Sequence, residues 1–134
     1  MSLDADLRFA VRVRAGDRCE YCQRHQRDSP LLTLQIEHII PRKHGGDDRV
    51  ENLALACVDC DLHKGSNLTG IDPESSLITP LLNPRHNPWD EHLSWDGVRL
   101  IGLTAIGRTT IRVLELNSPA RLRVRMAAHR RDFE

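Results

Sequence analysis

Residues 36–65 gather side chains that can do chemistry. They are the acid–histidine pair Glu37-His38, Asn52 beyond a Gly45-Gly46 turn, and Cys57-x-x-Cys60 running directly into Asp61, His63 and Lys64. A histidine near its unperturbed pKa can take a proton from water at neutral pH, which makes His38 a candidate general base. Carboxylates, of which Glu37 and Asp61 are two, are hard oxygen donors of the kind suited to magnesium or manganese. His63 is the substitute for Asp61. Two residues apart on a helix, they point in different directions, and only one of them can serve a given centre.

The four cysteines all fall in pairs, Cys19-Glu-Tyr-Cys22 and Cys57-Val-Asp-Cys60. Each Cys-x-x-Cys presents two sulfurs from a tight turn, and two such turns can surround one tetrahedral ion. Thiolate softness selects zinc over magnesium or calcium. In a reducing compartment such pairs read as metal ligands before disulfides. A redox role fits poorly, because no βαβ pattern surrounds either pair. The zinc would hold the central stretch rigid and take no part in the chemistry.

Positioning these residues requires a particular run of elements. Leu3, Leu7, Ala10 and Val11 recur at helical spacing, with Ser2 or Asp4 as cap and Gly16 as stop, predicting a helix over residues 4–15. A knuckle over 17–22 and a polar loop over 23–30 follow. Residues 31–40 are rich in Leu and Ile and read as a strand broken by Pro41. In a regular strand Glu37 and His38 face opposite ways, so serving one centre would call for irregular backbone there. A turn over 44–48, a second strand ending at Cys57 and a helix over 59–68 complete a strand–turn–strand–helix order. Residues 70–88 contain Pro73, Pro80, Pro84 and Pro88 and are expected to be irregular. Asp96-Gly97 predicts a hairpin between 92–95 and 98–102. A helix over 104–116 follows, and Ser118-Pro119 opens a last one on which Leu122, Met126, His129 and Phe133 recur.

This order of acid–His, Asn, Cys-x-x-Cys and lysine resembles the HNH endonuclease family, the zinc-ribbon branch of the ββα-metal nucleases. The resemblance covers about residues 14–70, and Trp89-x-x-His92-x-x-Trp95 and Gly102-Leu103-Thr104 look like the tails of small stand-alone HNH proteins. It implies an α+β fold in which a zinc ribbon braces a ββα-metal core, with an N-terminal helix and a C-terminal hairpin and helices. It also implies metal-dependent hydrolysis of nucleic-acid phosphodiesters, DNA first, leaving a 5′-phosphate and a 3′-hydroxyl. In that frame Glu37 is the metal-binding acid, more often Asp in the family. His38 is the base and Asn52 braces the loop between the strands. Lys64, with Arg42 and Lys43, contacts phosphates. Asp61 departs from the family, which usually has His or Asn after the last cysteine, but in that place it would make with Glu37 a two-oxygen site for magnesium or manganese, with His63 as its substitute.

At 134 residues the chain reads as one domain, with the HNH core at about 14–70 and an extension over 71–134. Aromatic residues make up only 4%, so the core must be Leu, Ile and Val, the kind of small core that a structural metal supports. No stretch has the apolar length of a membrane span or a signal peptide, and the expected setting is cytoplasmic. Nineteen basic residues balance nineteen acidic ones, which argues against nucleic-acid binding by bulk charge. The arginines are nevertheless clustered, at Arg8, Arg12, Arg14 and Arg18 and again from Arg121 to Arg131. Two other classes stay open: a nucleic-acid-binding module that no longer cuts, and an interaction module docking through Trp89–Trp95. A double-strand cutter with one site per chain is easiest to understand as a homodimer.

Overall fold

The computed structural model describes residues 3–132, so Ser2 and Phe133 lie outside the described residues. The described residues form a mixed structure of helices and three separate two-stranded antiparallel sheets, in two compact units. The first takes in the chain up to Leu68 together with Asn83–Asn87, and the second Thr69–Leu82 together with the chain from Pro88. None of the described helices is long and apolar enough to cross a membrane.

The first unit begins with α1 (Ala5–Ala15), capped by the Asp4 carboxylate on Leu7 N–H and closed by Gly16 in the left-handed region. Of the predicted apolar stripe only Val11 is fully buried, and Ala10 is exposed. The helix is instead moored by arginines: Arg12 donates to the Leu34 carbonyl, and Arg14 donates to the carbonyls of Val50 and Leu53. The N-terminal basic cluster is therefore partly engaged with internal carbonyls.

Strands β1 (Gln35–His38) and β2 (Leu53–Ala56) pair with Glu37 opposite Ala54 and His38 opposite Leu53. The expected strand over 31–40 is thus cut to four residues, because its partner is only four residues long. Leu31 and Leu32 are left exposed. All four residues of β2 are buried, and they form the floor of this unit. Helix α2 (Val58–Lys64) is shorter than the expected 59–68, since Gly65 at φ 50° ends it.

In the second unit β3 (Thr69–Ile71) pairs with β4 (Ile78–Pro80) inside a stretch expected to be irregular. Pro80 sits at the end of a two-stranded sheet, where its missing N–H breaks no ladder. The connecting turn is held by the Asp72 carboxylate, which accepts from Glu74 N–H, Ser75 N–H and the Ser75 hydroxyl and is gripped by Arg108. A one-turn helix α3 (Trp89–His92) leads into β5 (Leu93–Asp96) and β6 (Arg99–Gly102), joined at Gly97 as the Asp96-Gly97 pair predicts. Helix α4 (Ala105–Val113), capped by Thr104, stops short of the expected 116, and α5 (Pro119–Asp132) follows. Trp89 and Trp95 lie 5.9 Å apart between ring centroids, with the Arg125 guanidinium 5.5 Å from the centroid of Trp95.

Candidate metal centre and the hairpin residues beside it

The two cysteine pairs converge. Cys19, Cys22, Cys57 and Cys60 are all buried, and their sulfurs lie within 4.8 Å of one another. Backbone pairing brings them together: Glu20 N–H donates to the Leu55 carbonyl, and the Glu20 carboxylate accepts from Leu55 N–H and pairs with Arg85. That lays the first knuckle on β2, whose end leads into Cys57. Within each knuckle the later amide points at the earlier sulfur, Cys22 N–H to Cys19 Sγ and Cys60 N–H to Cys57 Sγ. Burial pushes the Cys19 and Cys60 thiols well up, while hydrogen bonds from neighbouring thiols, Cys19 foremost, hold Cys57 below its usual range. Four buried sulfurs at this spacing form a donor set for a soft tetrahedral cation and are compatible with zinc.

Glu37 is tied to this cluster through Tyr21. Its side chain is almost fully buried; Tyr21, inside the first knuckle, donates its hydroxyl to Oε1, and Lys64 Nζ is 3.4 Å from Oε2. Burial pushes the Glu37 carboxyl up to about 7, against the opposing pull of Lys64 and Tyr21. Asp61, on α2, adds its negative charge to that push, and burial raises its own pKa as well. Each carboxyl is thus costly to ionise where it stands, and a cation would offset that cost. Tyr21 and Lys64 each use one direction on Glu37, and a carboxylate offers about four lone-pair sites. Glu37 and Asp61 therefore fit a hard divalent ion by donor type.

The ladder of β1 stays regular through His38 and on to Ile39, whose N–H donates to the Asn52 carbonyl. The irregular backbone that one shared centre would call for is not found in β1, and Glu37 and His38 have different partners, Lys64 and Tyr21 for the first and Asp48 for the second. His38 Nε2 lies 2.7 Å from Asp48 Oδ1, and the same oxygen receives Arg42 Nη2 at 2.8 Å. Hydrogen bonds from Arg42, then His38, hold the Asp48 carboxyl below its usual range. Asn52 binds the loop between the strands: its Oδ1 accepts from Ile40 N–H, and its Nδ2 donates to the carbonyls of Ile40 and Asp47. Gly46 passes so close beneath that a Cβ there would sit 1.6 Å from the Ile40 carbonyl oxygen.

The residues expected to face phosphate are placed differently from one another. Lys64 is 2% exposed, with Nζ 3.0 Å from the Ile39 carbonyl and 3.4 Å from that of His38, so its ammonium is an internal counter-charge and not a surface contact. Arg42 is half exposed but engaged with Asp48, and Lys43 is exposed. His63 Nδ1 lies 2.8 Å from the Asp59 carbonyl of its own helix, and His44 Nε2 lies 3.1 Å from the Ser66 carbonyl. Sequence reasoning missed Tyr21, Glu20 and Asp48. Tyr21 carried a signal, being the chain's one tyrosine and lying between two cysteines, but nothing in the sequence separates Asp48 from Asp47.

Residues 19–67 match the profile of the HNH endonuclease family. The chain is also 26% identical over 118 residues to Septu protein PtuB of Bacillus thuringiensis, covering 87% of this chain and 43% of that protein. It thus spans less than half the length of that relative. No solved structure matches. Residues 19–67, which carry the cysteine cluster, Glu37, His38, Asn52 and Asp61, are an HNH endonuclease-family domain.

Proposed function

We propose that this protein is a metal-dependent endonuclease that hydrolyses phosphodiester bonds of nucleic acid, DNA first, on a zinc-braced ββα-metal core. The observation that carries this reading is the position of His38. Its ring, one-fifth exposed, stands on a hairpin inside the segment that matches the HNH family and holds the four-cysteine cluster. A partly exposed imidazole held by one ring nitrogen can take a proton from an incoming water at the other. Asn52 holds the Ile40–Asp47 loop, and with it the end of the strand that presents His38. The cysteine cluster fixes β2 and the start of α2, and would be held by zinc. Glu37 and Asp61 would hold magnesium or manganese, which supplies charge stabilisation at the leaving oxygen. Arg42 and Lys43, on the exposed turn after β1, would meet phosphates. A double-strand cut is easiest to understand with two copies of the chain.

The test is nicking of supercoiled plasmid by the wild type and His38→Ala in parallel, with Mg²⁺, with Mn²⁺ and with EDTA. The expected result is cleavage that requires the ion and is lost in the variant. Two observations favour a second reading, a nucleic-acid-binding module that no longer cuts: Glu37 already has a resident counter-charge in Lys64, and the regular ladder of β1 turns Glu37 and His38 to opposite faces. Folded, zinc-loaded protein that retains DNA but never cleaves it under either ion would establish that reading instead.

A further inference from the structure

The geometry points to Asp48 as the residue that orients the His38 ring, holding the hydrogen on Nε2 so that Nδ1 is the nitrogen that meets water. The part of this role that concerns cleavage rests on the nuclease reading and deepens it.

Three observations support the assignment. First, Asp48 Oδ1 is 2.7 Å from His38 Nε2, a short contact of the charge-assisted kind. Second, Arg42 reaches the same oxygen with Nη2 at 2.8 Å and Nε at 3.3 Å. A guanidinium only donates, so Arg42 keeps Asp48 as an ionised, purely accepting group with no hydrogen to give. Nε2 must therefore be the donor of the pair, which in the neutral ring leaves the lone pair on Nδ1. Third, this is the one hydrogen bond of the His38 side chain among the described residues, so no other hydrogen bond sets the orientation of the ring.

The Asn52 side chain fixes where Asp48 stands. Asn52 Nδ2 donates to the carbonyl of Asp47, immediately before Asp48 in the chain. Asp47 itself turns back on Arg49, with its Oδ1 accepting Arg49 N–H at 3.1 Å and its Oδ2 accepting Arg49 Nε at 2.9 Å. Of two adjacent aspartates, one thus closes the turn and the other reaches the imidazole. Asp48 acts through His38, so it is a positioning residue.

The experiment uses the full zinc-loaded chain, labelled with ¹⁵N, as wild type, Asp48→Ala and Asp48→Glu. Long-range ¹H–¹⁵N spectra report which nitrogen of the His38 ring carries the hydrogen, and plasmid nicking with Mg²⁺ reports the rate. In the wild type the hydrogen is expected on Nε2. In Asp48→Ala the ring should become a mixture of tautomers. The maximal cleavage rate should fall about 10- to 100-fold, the scale for losing a group that orients a histidine. The half-saturating DNA concentration should move less than about threefold, because binding is not what is lost. Asp48→Glu, which restores a carboxylate on an exposed turn, should recover the Nε2 tautomer and much of the rate.

A wild-type ring protonated on Nδ1 would overturn the inference, as would an unchanged tautomer in Asp48→Ala. So would a loss of rate in Asp48→Ala that Asp48→Glu does not restore at all. If none of the three proteins cleaves while the tautomer follows Asp48, the nuclease reading fails and the orienting role of Asp48 stands.

Discussion

The Lys64 ammonium lies 3.4 Å from Glu37 Oε2, with side-chain exposures of only 2% and 4%. Both charges have left water for each other, and Lys64 also rests on the carbonyls of His38 and Ile39. Removing one member of such a pair strands the other. Lys64→Met is expected to cost about 3–5 kcal/mol, the range for breaking a buried pair. Denaturant unfolding at pH 8 checks this. The loss should shrink at pH 6, where Glu37 can take up a proton.

Glu37 makes stability depend on pH in an unusual direction. Its folded pKa is about 7, raised by burial from an ordinary value of 4.5, so the folded state holds this proton more tightly than the unfolded state does. Between those values the folded chain binds more protons, and stability from this group falls as pH rises. Above about pH 7 both states are ionised and the contribution is flat. Comparison with Glu37→Gln isolates it. Wild-type stability relative to the variant should decline from pH 5 to pH 7 and level off beyond.

The cysteine cluster should make folding of the first unit conditional on a metal. Structural zinc in small domains supplies about 10–16 kcal/mol at neutral pH, and whole domains are stable by only about 5–15 kcal/mol. One zinc per chain is expected by elemental analysis. A strong chelator, or Cys22→Ser, should abolish the cooperative unfolding of that unit as followed by near-UV circular dichroism.

Gly46 is required by close approach. An added Cβ would stand 1.6 Å from the Ile40 carbonyl oxygen and 2.9 Å from Asn52 Nδ2. Gly46→Ala must push that carbonyl off the asparagine, at about 1–3 kcal/mol for forcing extra volume into a packed position. Gly45→Ala meets no atom within 4 Å but sits at φ 89°, so it is strained by conformation alone. Thermal unfolding of the two variants checks the costs. The contacts of Asn52 should be disturbed in the first and kept in the second, which amide chemical shifts at Ile40 and Asp47 would report.

Features that depend on spacing along the chain were legible before any folding. Two Cys-x-x-Cys pairs are knuckles wherever they lie, Asp96-Gly97 turns a hairpin, and Asp4 and Gly16 bound a helix, because each rests on neighbours a few residues apart. The family resemblance was legible for the same reason, since its motif is an order of residues. Tertiary structure decided the partners. Tyr21 meets Glu37 across sixteen positions and Lys64 meets the His38 carbonyl across twenty-six, pairings made by β2 and the first knuckle and by no local propensity. Pairing between β3 and β4 overrode a proline-rich stretch, because Asp72 closes the turn and Arg108 holds Asp72 from α4. Lys64 looks like a surface charge in one dimension; folding put a buried carboxylate beside it, and desolvation then made the pair internal. The choice between Asp47 and Asp48 was settled in the same way, by which of two identical side chains the turn aims at His38.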